Sequence, residues 1–115
     1  MHVEIWHRPT CGNSRGALAL LREAGIEPEV VDYVSAPPTV ERLRRAIADA
    51  GLAVRQAIRD KESEYRALGL DDPALDDEAL LRAMVDTPIL INRPFVFTPK
   101  GVRLCRPPEK VLDLL

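Results

Sequence analysis

The first 33 residues constrain the fold of this chain most, because they run through a strand pattern, a helix pattern and a second strand pattern. Val3–Trp6 alternates apolar and polar side chains, which predicts a short strand that ends before Pro9. From Ser14 onward apolar residues recur at helical spacing, and Gly25 stands where the C-terminal cap of a helix is expected. Glu29–Tyr33 predicts the second strand. Together these segments predict a βαβ unit, in which a helix joins two parallel strands.

Helical patterns fill the middle of the chain, and strands return after it. Thr39 is a suitable N-cap, and apolar stripes predict several helices over about residues 39–87, before Pro88 interrupts the pattern. Phe95–Phe97 and Val102–Cys105 then predict an antiparallel hairpin, and a last helix starts at the prolines of positions 107 and 108. This order predicts an α/β protein that resembles the thioredoxin-like fold, with a helical insertion between an N-terminal β-α-β half and a C-terminal β-β-α half. Such a fold supports many functions.

Length and composition limit the classes of protein to which the chain can belong. Its 115 residues fit one compact domain over residues 1–115, and a hydrophobic fraction of 46% is enough for a core of aliphatic side chains. A formal net charge of −2 argues against binding to nucleic acid or to an anionic membrane, which needs a basic face. No apolar run approaches the roughly 20 residues of a membrane-spanning helix. No basic segment followed by an apolar one marks a signal peptide, so we expect a cytoplasmic location.

Cys11 is the first candidate for chemistry, because it falls in the loop between the predicted first strand and first helix. Unpaired loop amides and the positive end of the helix would favour its thiolate and lower its pKa. His7 could add positive charge, and Ser14 could donate a hydrogen bond to the sulfur. The same amides would bind an oxyanion. The competing interpretation is that Cys11 is a small buried residue and that His7 is an ordinary half-exposed histidine at a strand end.

The position three residues after Cys11 holds Ser14 and not a second cysteine. A dithiol oxidoreductase needs Cys-x-x-Cys, in which the second thiol resolves the mixed disulfide. Any redox cycle through Cys11 must therefore take its resolving thiol from elsewhere. A tyrosine-phosphatase-like loop is also disfavoured, because that family carries Cys-x5-Arg and position 17 is Ala17 here. Cys105 is far from Cys11 in sequence, so no disulfide scaffold is predicted.

Three arginines stand beside predicted element ends and could converge on Cys11: Arg59, Arg93 and Arg106. Arg93 comes directly before Pro94 and the third strand, and Arg106 follows the fourth strand. In a thioredoxin-like fold the residue pair before the third strand faces the active cysteine, and its proline is typically cis. Three guanidinium groups around a thiolate loop would form a pocket for a tetrahedral oxyanion. The alternative is three solvated arginines among the 16 Lys and Arg residues of the chain.

Four stretches that together cover nearly the whole chain resemble the glutaredoxin-coupled arsenate reductases of the thioredoxin fold. In order along the chain they are IWHRPTCGNSR, EPEVVDYVSAPP, VRQAIRDKESEYRALGL and DTPILINRPFVFTPKGVRLCRPPEKVLDLL. The most specific pieces are PILINRP and RLCRPPE, whereas the pattern HxPxCGxSR is shared more widely with sister families.

The resemblance implies roles for particular residues. Cys11 would attack arsenate, His7 would help to keep Cys11 ionised, and Ser14 would hydrogen-bond it. Pro94 would be the cis-proline, and no duty is assigned to Cys105. The oxyanion would be held by the loop and by the arginines, namely by Gly12, Asn13, Ser14, Arg15, Arg59, Arg93 and Arg106.

The resemblance also implies a reaction and its partners. Arsenate would be reduced to arsenite through a covalent cysteine–arsenic intermediate, with glutathione as co-substrate, glutaredoxin as protein partner, and no bound cofactor or metal. Two alternatives stay open. One is a related thioredoxin-fold thiol oxidoreductase with little arsenate activity. The other is a non-enzymatic transcription regulator, which senses oxidation through a Cys-x-x-Cys motif that Ser14 interrupts here.

Overall fold

The computed structural model describes residues 1–115, which form two compact units. The first unit combines Met1–Ala36 with Arg93–Leu115, and the second unit is Pro37–Asn92. The insertion predicted over about residues 39–87 lies inside the second unit, which extends beyond it at both ends. That the two units form a single domain over residues 1–115 stays a prediction.

The first unit is built on a four-stranded sheet. Its elements are β1 (Glu4–Trp6), α1 (Gly12–Glu23), β2 (Glu29–Val31), β3 (Phe95–Thr98), β4 (Gly101–Leu104) and a C-terminal 3₁₀ helix (Pro108–Leu114). The strand order is β2-β1-β3-β4. β1 is parallel to β2 and antiparallel to β3, and β3 is antiparallel to β4. This arrangement confirms the predicted α/β class, with its parallel βαβ unit and its hairpin.

β2 ends two residues earlier than predicted, at Val31 instead of Tyr33. The cause is Asp32, whose Oδ1 accepts hydrogen bonds from the N–H groups of Val34 and Ser35 at 3.2 and 3.3 Å. An aspartate side chain that bonds its own following backbone offers those groups partners other than a neighbouring strand. The chain therefore leaves the sheet at this point.

The predicted last helix forms as a 3₁₀ helix over Pro108–Leu114. Pro107 is its N-cap residue and Pro108 its first residue, positions at which no intrahelical N–H donor is needed. Bonds between residues three apart close its turns: Lys110 N donates to Pro107 O at 3.2 Å, and Leu115 N donates to Leu112 O at 3.3 Å.

One face of the sheet carries the core of the first unit. Ile5 on β1 and Val96 on β3 are directly paired, and both are fully buried. The cluster is completed by residues of α1 and of the C-terminal 3₁₀ helix, namely Ala17, Leu18, Leu21, Val111 and Leu114. α1 and the C-terminal 3₁₀ helix also pack against each other. The start of α1 and the segment that follows β4 are therefore both positioned by this core.

The second unit is helical. Its elements are α2 (Val40–Asp49), α3 (Val54–Ala57), α4 (Ser63–Ala67), α5 (Asp77–Asp86) and a short 3₁₀ helix (Pro88–Leu90). α2, α3 and α5 pack on one another and bury Leu43, Ile47 and Met84. α2 begins at the predicted cap, Thr39, and α5 begins at Asp76; their side chains accept N–H bonds at 3.1 and 2.9 Å. None of the helices in the chain combines the length and the apolar character that crossing a membrane requires.

We expect Leu21→Ala to lower the free energy of unfolding by about 2–5 kcal/mol, because Leu21 is fully buried and its truncation leaves a cavity. Leu112→Ala is the matched control, since the Leu112 side chain is half exposed, and it should cost less than about 1 kcal/mol. Urea unfolding followed by circular dichroism measures both values. Equal losses in the two variants would contradict the described core.

Candidate active site

Cys11 lies between β1 and α1, as the N-cap residue of α1 with extended backbone angles of φ −97° and ψ 122°. Its N–H donates to the Arg8 carbonyl at 2.9 Å, and its own carbonyl accepts from Arg15 N at 3.0 Å, so the residue is held on both sides. The side chain is partly exposed. The first three N–H groups of α1, those of residues 12–14, have no partner within the helix.

The surroundings of Cys11 lower the pKa of its thiol below the ordinary value. Desolvation by burial is the largest single influence, and it raises the pKa. The backbone N–H groups of Ser14 and Asn13, and after them the side chains of Arg106 and Arg93, together outweigh it. Both amides lie at the start of α1, whose positive end also favours a thiolate. The loop position of Cys11 thus favours the thiolate.

Arg106 brings a guanidinium group to this sulfur. Its Nη1 lies 3.7 Å from Cys11 Sγ and donates to the carbonyl oxygen of Arg93 at 2.8 Å. The carbonyl contact fixes the plane of the guanidinium, whose N–H groups form a rigid fork. Only Nη1 is engaged in this way, so the other N–H groups of Arg106 are available to an anion beside the sulfur.

Arg93 is buried and comes directly before Pro94, and the peptide bond between the two residues is cis. The carbonyl of Pro94 accepts the N–H of Cys105 at 2.8 Å. The chain before β3 and the chain after β4 are therefore joined twice, by the Cys105 main chain and by the Arg106 side chain. The Arg106–Pro107 bond is also cis, which the sequence did not predict.

Ser14 acts on Cys11 through its backbone, whereas a hydrogen bond from its hydroxyl was predicted. The buried Ser14 Oγ lies 2.6 Å from His7 Nδ1 and accepts the N–H of Arg8 at 3.0 Å. The hydroxyl therefore ties the start of α1 to the end of β1.

The pKa of His7 is lowered from its usual value, so the ring is neutral at neutral pH. Desolvation by burial is the largest cause, and the positive charge of Arg22 adds to it, while the carboxylate of Asp32 acts in the opposite direction. The structure thus corrects the expectation that His7 supplies a positive charge beside Cys11. A partly buried imidazole among arginines does not hold the extra proton.

The remaining loop residues differ in what they can offer to an anion. The amides of Gly12 and Asn13 stand with that of Ser14 at the start of α1. The N–H of Arg15 is already bonded to the Cys11 carbonyl. The exposed Arg15 side chain donates through Nη1 to the Pro9 carbonyl at 2.8 Å. An oxyanion role for the Arg15 side chain stays a prediction.

Arg59 belongs to the second unit, where other groups orient its side chain. Its N–H donates to the Leu90 carbonyl at 2.7 Å, and its Nε donates to Glu62 Oε1 at 3.0 Å. Its Nη1 lies 3.5 Å from Asn92 Oδ1. The side chain is only 18% exposed, so it is ordered within its own unit. Its convergence with the other two arginines stays a prediction.

Cys105 contrasts with Cys11. It is fully buried in the core of the first unit, and its thiol donates to the Arg103 carbonyl at 3.7 Å. Desolvation by burial raises the pKa of the Cys105 thiol to about 12. A thiol that stays protonated and out of contact with solvent is inert as a nucleophile. Cys105 is therefore a packing residue, as the sequence suggested.

The arrangement suits one kind of chemistry, attack by a thiolate on an anion. Cys11 is flanked by the amides of Asn13 and Ser14 and by the guanidinium groups of Arg93 and Arg106. Charge repulsion opposes the approach of a thiolate to an oxyanion unless fixed positive groups offset it. Both the amides and the arginines meet that need at the same sulfur.

Three main-chain groups of the site escaped prediction from the sequence. The Arg8 N–H holds the Ser14 hydroxyl, the Arg93 carbonyl holds the Arg106 side chain, and the Cys105 N–H holds the Pro94 carbonyl. Every residue type except proline offers the same main-chain donor and acceptor. No sequence pattern could therefore have identified them.

Comparisons with known proteins give a consistent assignment. The model of the ArsC family matches residues 6–114. An arsenate reductase of Rhizobium meliloti is 58% identical over 115 residues, which cover 100% of this chain and 82% of that protein. An arsenate reductase of Escherichia coli K12 is 45% identical over 114 residues, which cover 99% and 81%. The solved structure of an arsenate reductase from Vibrio cholerae superposes with a TM-score of 0.96 at 46% identity, over 100% of this chain and 98% of that one.

We expect iodoacetamide to modify Cys11 and not Cys105 in the native protein. The alkylation rate of Cys11, plotted against pH, should have its midpoint below the pKa of roughly 8.5 of a free thiol. Because the pKa of Cys11 is lowered, the rate should fall to half of its plateau only at a pH below that value. Mass spectrometry of the modified peptide and the rate against pH measure both effects.

Arg106→Ala should move that midpoint upward, because it removes one of the groups that favour the Cys11 thiolate. Arg103→Ala is the control, since Arg103 is exposed and paired with Asp113. A wild-type midpoint at or above that of a free thiol would contradict the described loop.

Proposed function

This chain belongs to the ArsC family, and we infer from that membership that it is an enzyme that reduces arsenate to arsenite. The observation that carries the proposal is the position of the Cys11 sulfur, between the amides at the start of α1 and the guanidinium of Arg106. Arsenate is a tetrahedral oxyanion, and such groups bind to helix N-termini and to planar guanidinium donors. The nucleophile and the binding groups thus meet at one point.

Arsenate would bind through the groups that surround the sulfur. Nη1 of Arg106 is engaged by the Arg93 carbonyl, so the anion would take the other N–H groups of Arg106, the Arg93 guanidinium and the amides of residues 12–14. Arg59 would add a third guanidinium from the helical unit. These positive groups would offset the repulsion between the thiolate and the anionic substrate.

The first chemical step would join the Cys11 sulfur to arsenic. The thiolate attacks the arsenic atom, one arsenic–oxygen bond breaks, and that oxygen leaves as water after it takes up protons from solvent. Arsenic keeps its oxidation state of +5 in this substitution, so no electrons have yet moved. The lowered pKa of Cys11 supplies the thiolate at neutral pH.

The electrons would come from outside the chain, because Ser14 stands where a resolving thiol would be. A glutathione thiol displaces a second oxygen as water and joins its sulfur to the arsenic. A glutaredoxin thiolate then attacks the glutathione sulfur, the sulfur–arsenic bond breaks, and its electron pair stays on arsenic, which becomes arsenic(III). The mixed disulfide of glutaredoxin and glutathione leaves, and water releases arsenite from Cys11. Such a cycle needs a pool of reduced glutathione, so we place the protein in the cytoplasm.

The experiment that tests this function is arsenite formation by the purified protein with arsenate, glutathione and glutaredoxin. We expect turnover only when all three are present. Omission of glutaredoxin should leave arsenic bound to the protein with no sustained release. Arsenate binding without turnover under any of these conditions would favour the alternative, a thiol oxidoreductase of the same fold that acts on another substrate.

Cys11→Ser should abolish arsenite formation without unfolding the protein, because a hydroxyl is a far weaker nucleophile than a thiolate at neutral pH. Cys105→Ala is the matched control and should keep most of the activity, since Cys105 is buried and protonated. Steady-state assays with circular dichroism of each variant provide the comparison. A loss in Cys105→Ala as large as that in Cys11→Ser would overturn the assignment of the nucleophile.

Replacement of Arg59, Arg93 or Arg106 by lysine should reduce arsenate turnover by about tenfold or more, because lysine keeps the charge but loses the planar two-pronged donor. Arg44→Lys is the control, since the Arg44 side chain pairs with Glu41 and Glu78 on the helical unit. Values of kcat/KM for arsenate at fixed glutathione and glutaredoxin measure the effect. If Arg59→Lys behaved like Arg44→Lys, Arg59 would be excluded from the oxyanion site.

A further inference from the structure

Gly16 stands in the second turn of α1, where this helix meets the C-terminal 3₁₀ helix. A Cβ atom at position 16 would lie 2.8 Å from Pro108 Cγ and 3.0 Å from Pro108 Cβ, closer than real Cβ atoms approach another carbon. The backbone of Gly16 has no positive φ, so any residue could adopt its conformation. Glycine is also the poorest helix former after proline. Glycine is therefore required at position 16, because the space beside Pro108 has no room for a side chain.

Pro108 has little freedom to avoid such a contact. Its ring is closed onto its own backbone nitrogen and cannot rotate to another rotamer. A side chain at position 16 would thus displace the backbone of the 3₁₀ helix away from α1. Pro108 follows Arg106 by two residues, and the chain just before Arg106 is anchored by the bond from Cys105 N to Pro94 O. The displacement would concentrate in the segment that carries Arg106.

The position of Arg106 tolerates little movement. Its Nη1 is 3.7 Å from Cys11 Sγ and 2.8 Å from the Arg93 carbonyl, so both contacts depend on one nitrogen atom. Gly16 itself reaches neither the sulfur nor the guanidinium through a side chain. It lies five residues after Cys11, the N-cap residue of α1, so the nucleophile and the surface against which the Arg106 segment packs belong to one continuous stretch of chain.

We propose that Gly16 is a positioning residue, which lets Pro108 lie directly on α1 and thereby sets the guanidinium of Arg106 beside the Cys11 sulfur. The inference deepens the proposed function, because it assumes that Cys11 is the nucleophile. In this proposal Gly16 and Pro108, which both lie outside the Cys11 loop, set the position of the Arg106 segment relative to α1. Gly16 and Pro108 then act as a pair, and each tolerates a change only if the other changes with it.

The decisive measurement is the pH dependence of Cys11 alkylation, which needs neither arsenate nor a co-substrate. Gly16→Ala should raise the alkylation midpoint by about half a pH unit, because Arg106 retreats from the sulfur. It should also lower kcat/KM for arsenate by about tenfold, a typical cost of a small misplacement. Gly16→Ala/Pro108→Gly should restore the midpoint and bring kcat/KM back to within about twofold, since loss of both the Cβ and the Cγ of Pro108 makes room for the methyl group.

A second double-mutant cycle distinguishes an effect on the position of Arg106 from a general loss of stability. If Gly16 acts through Arg106, then adding Gly16→Ala to Arg106→Ala should not move the midpoint any further, even if both variants are less stable in urea. Ala19→Leu is the matched control on the exposed side of α1 and should leave the midpoint unchanged. An unchanged midpoint in Gly16→Ala, additive shifts with Arg106→Ala, or no recovery in the folded double variant would each overturn the proposal.

The two proposals fail in distinguishable ways. If Gly16→Ala alone does not fold, the double variant with Pro108→Gly decides, because it must fold and must titrate like the wild type. If the wild type forms no arsenite but the alkylation cycles behave as described, the positioning role stands and the proposed function falls. If arsenite forms but the cycles fail, only the positioning role is lost.

Discussion

A negative charge on the half-exposed sulfur of Cys11 is the constraint on which the rest of the first unit depends. Burial by itself opposes that charge, so other groups must favour it by more. They come from three parts of the chain: the first amides of α1, the residue before β3 and the residue after β4. The sheet brings these parts together because β3 pairs with both β1 and β4. The fold thus places hydrogen-bond donors from three parts of the chain around one sulfur atom.

The two polar functions of Ser14 are divided between different atoms. Its N–H serves the sulfur, while its hydroxyl joins His7 Nδ1 and the Arg8 N–H, which belong to the end of β1. Because the pKa of His7 is lowered, its imidazole is neutral and adds no charge to this contact. The loop is thus ordered by neutral hydrogen bonds, and the charge balance around the sulfur is left to the arginines.

Local patterns predicted the elements well, because strand alternation, helical periodicity and caps such as Thr39 act over a few residues. Cys11 was identified for the same reason, since its place before α1 is visible in the sequence. The errors concern the surroundings of single side chains, which the periodicity of a sequence does not show. The charge of His7 is decided by burial and by Arg22, and the end of β2 is decided by the hydrogen bonds of the Asp32 side chain. Family resemblance named Arg93 and Arg106, but not the carbonyl that orients one of them.

The burial of Cys105 determines how the protein reacts with oxidants. Its thiol lies in the apolar core and stays protonated over the whole physiological range, so it cannot attack an oxidised Cys11. Toward peroxide or a disulfide the protein therefore behaves as a monothiol. Every disulfide that it forms joins Cys11 to another molecule, and recovery always depends on a second thiol arriving from solution.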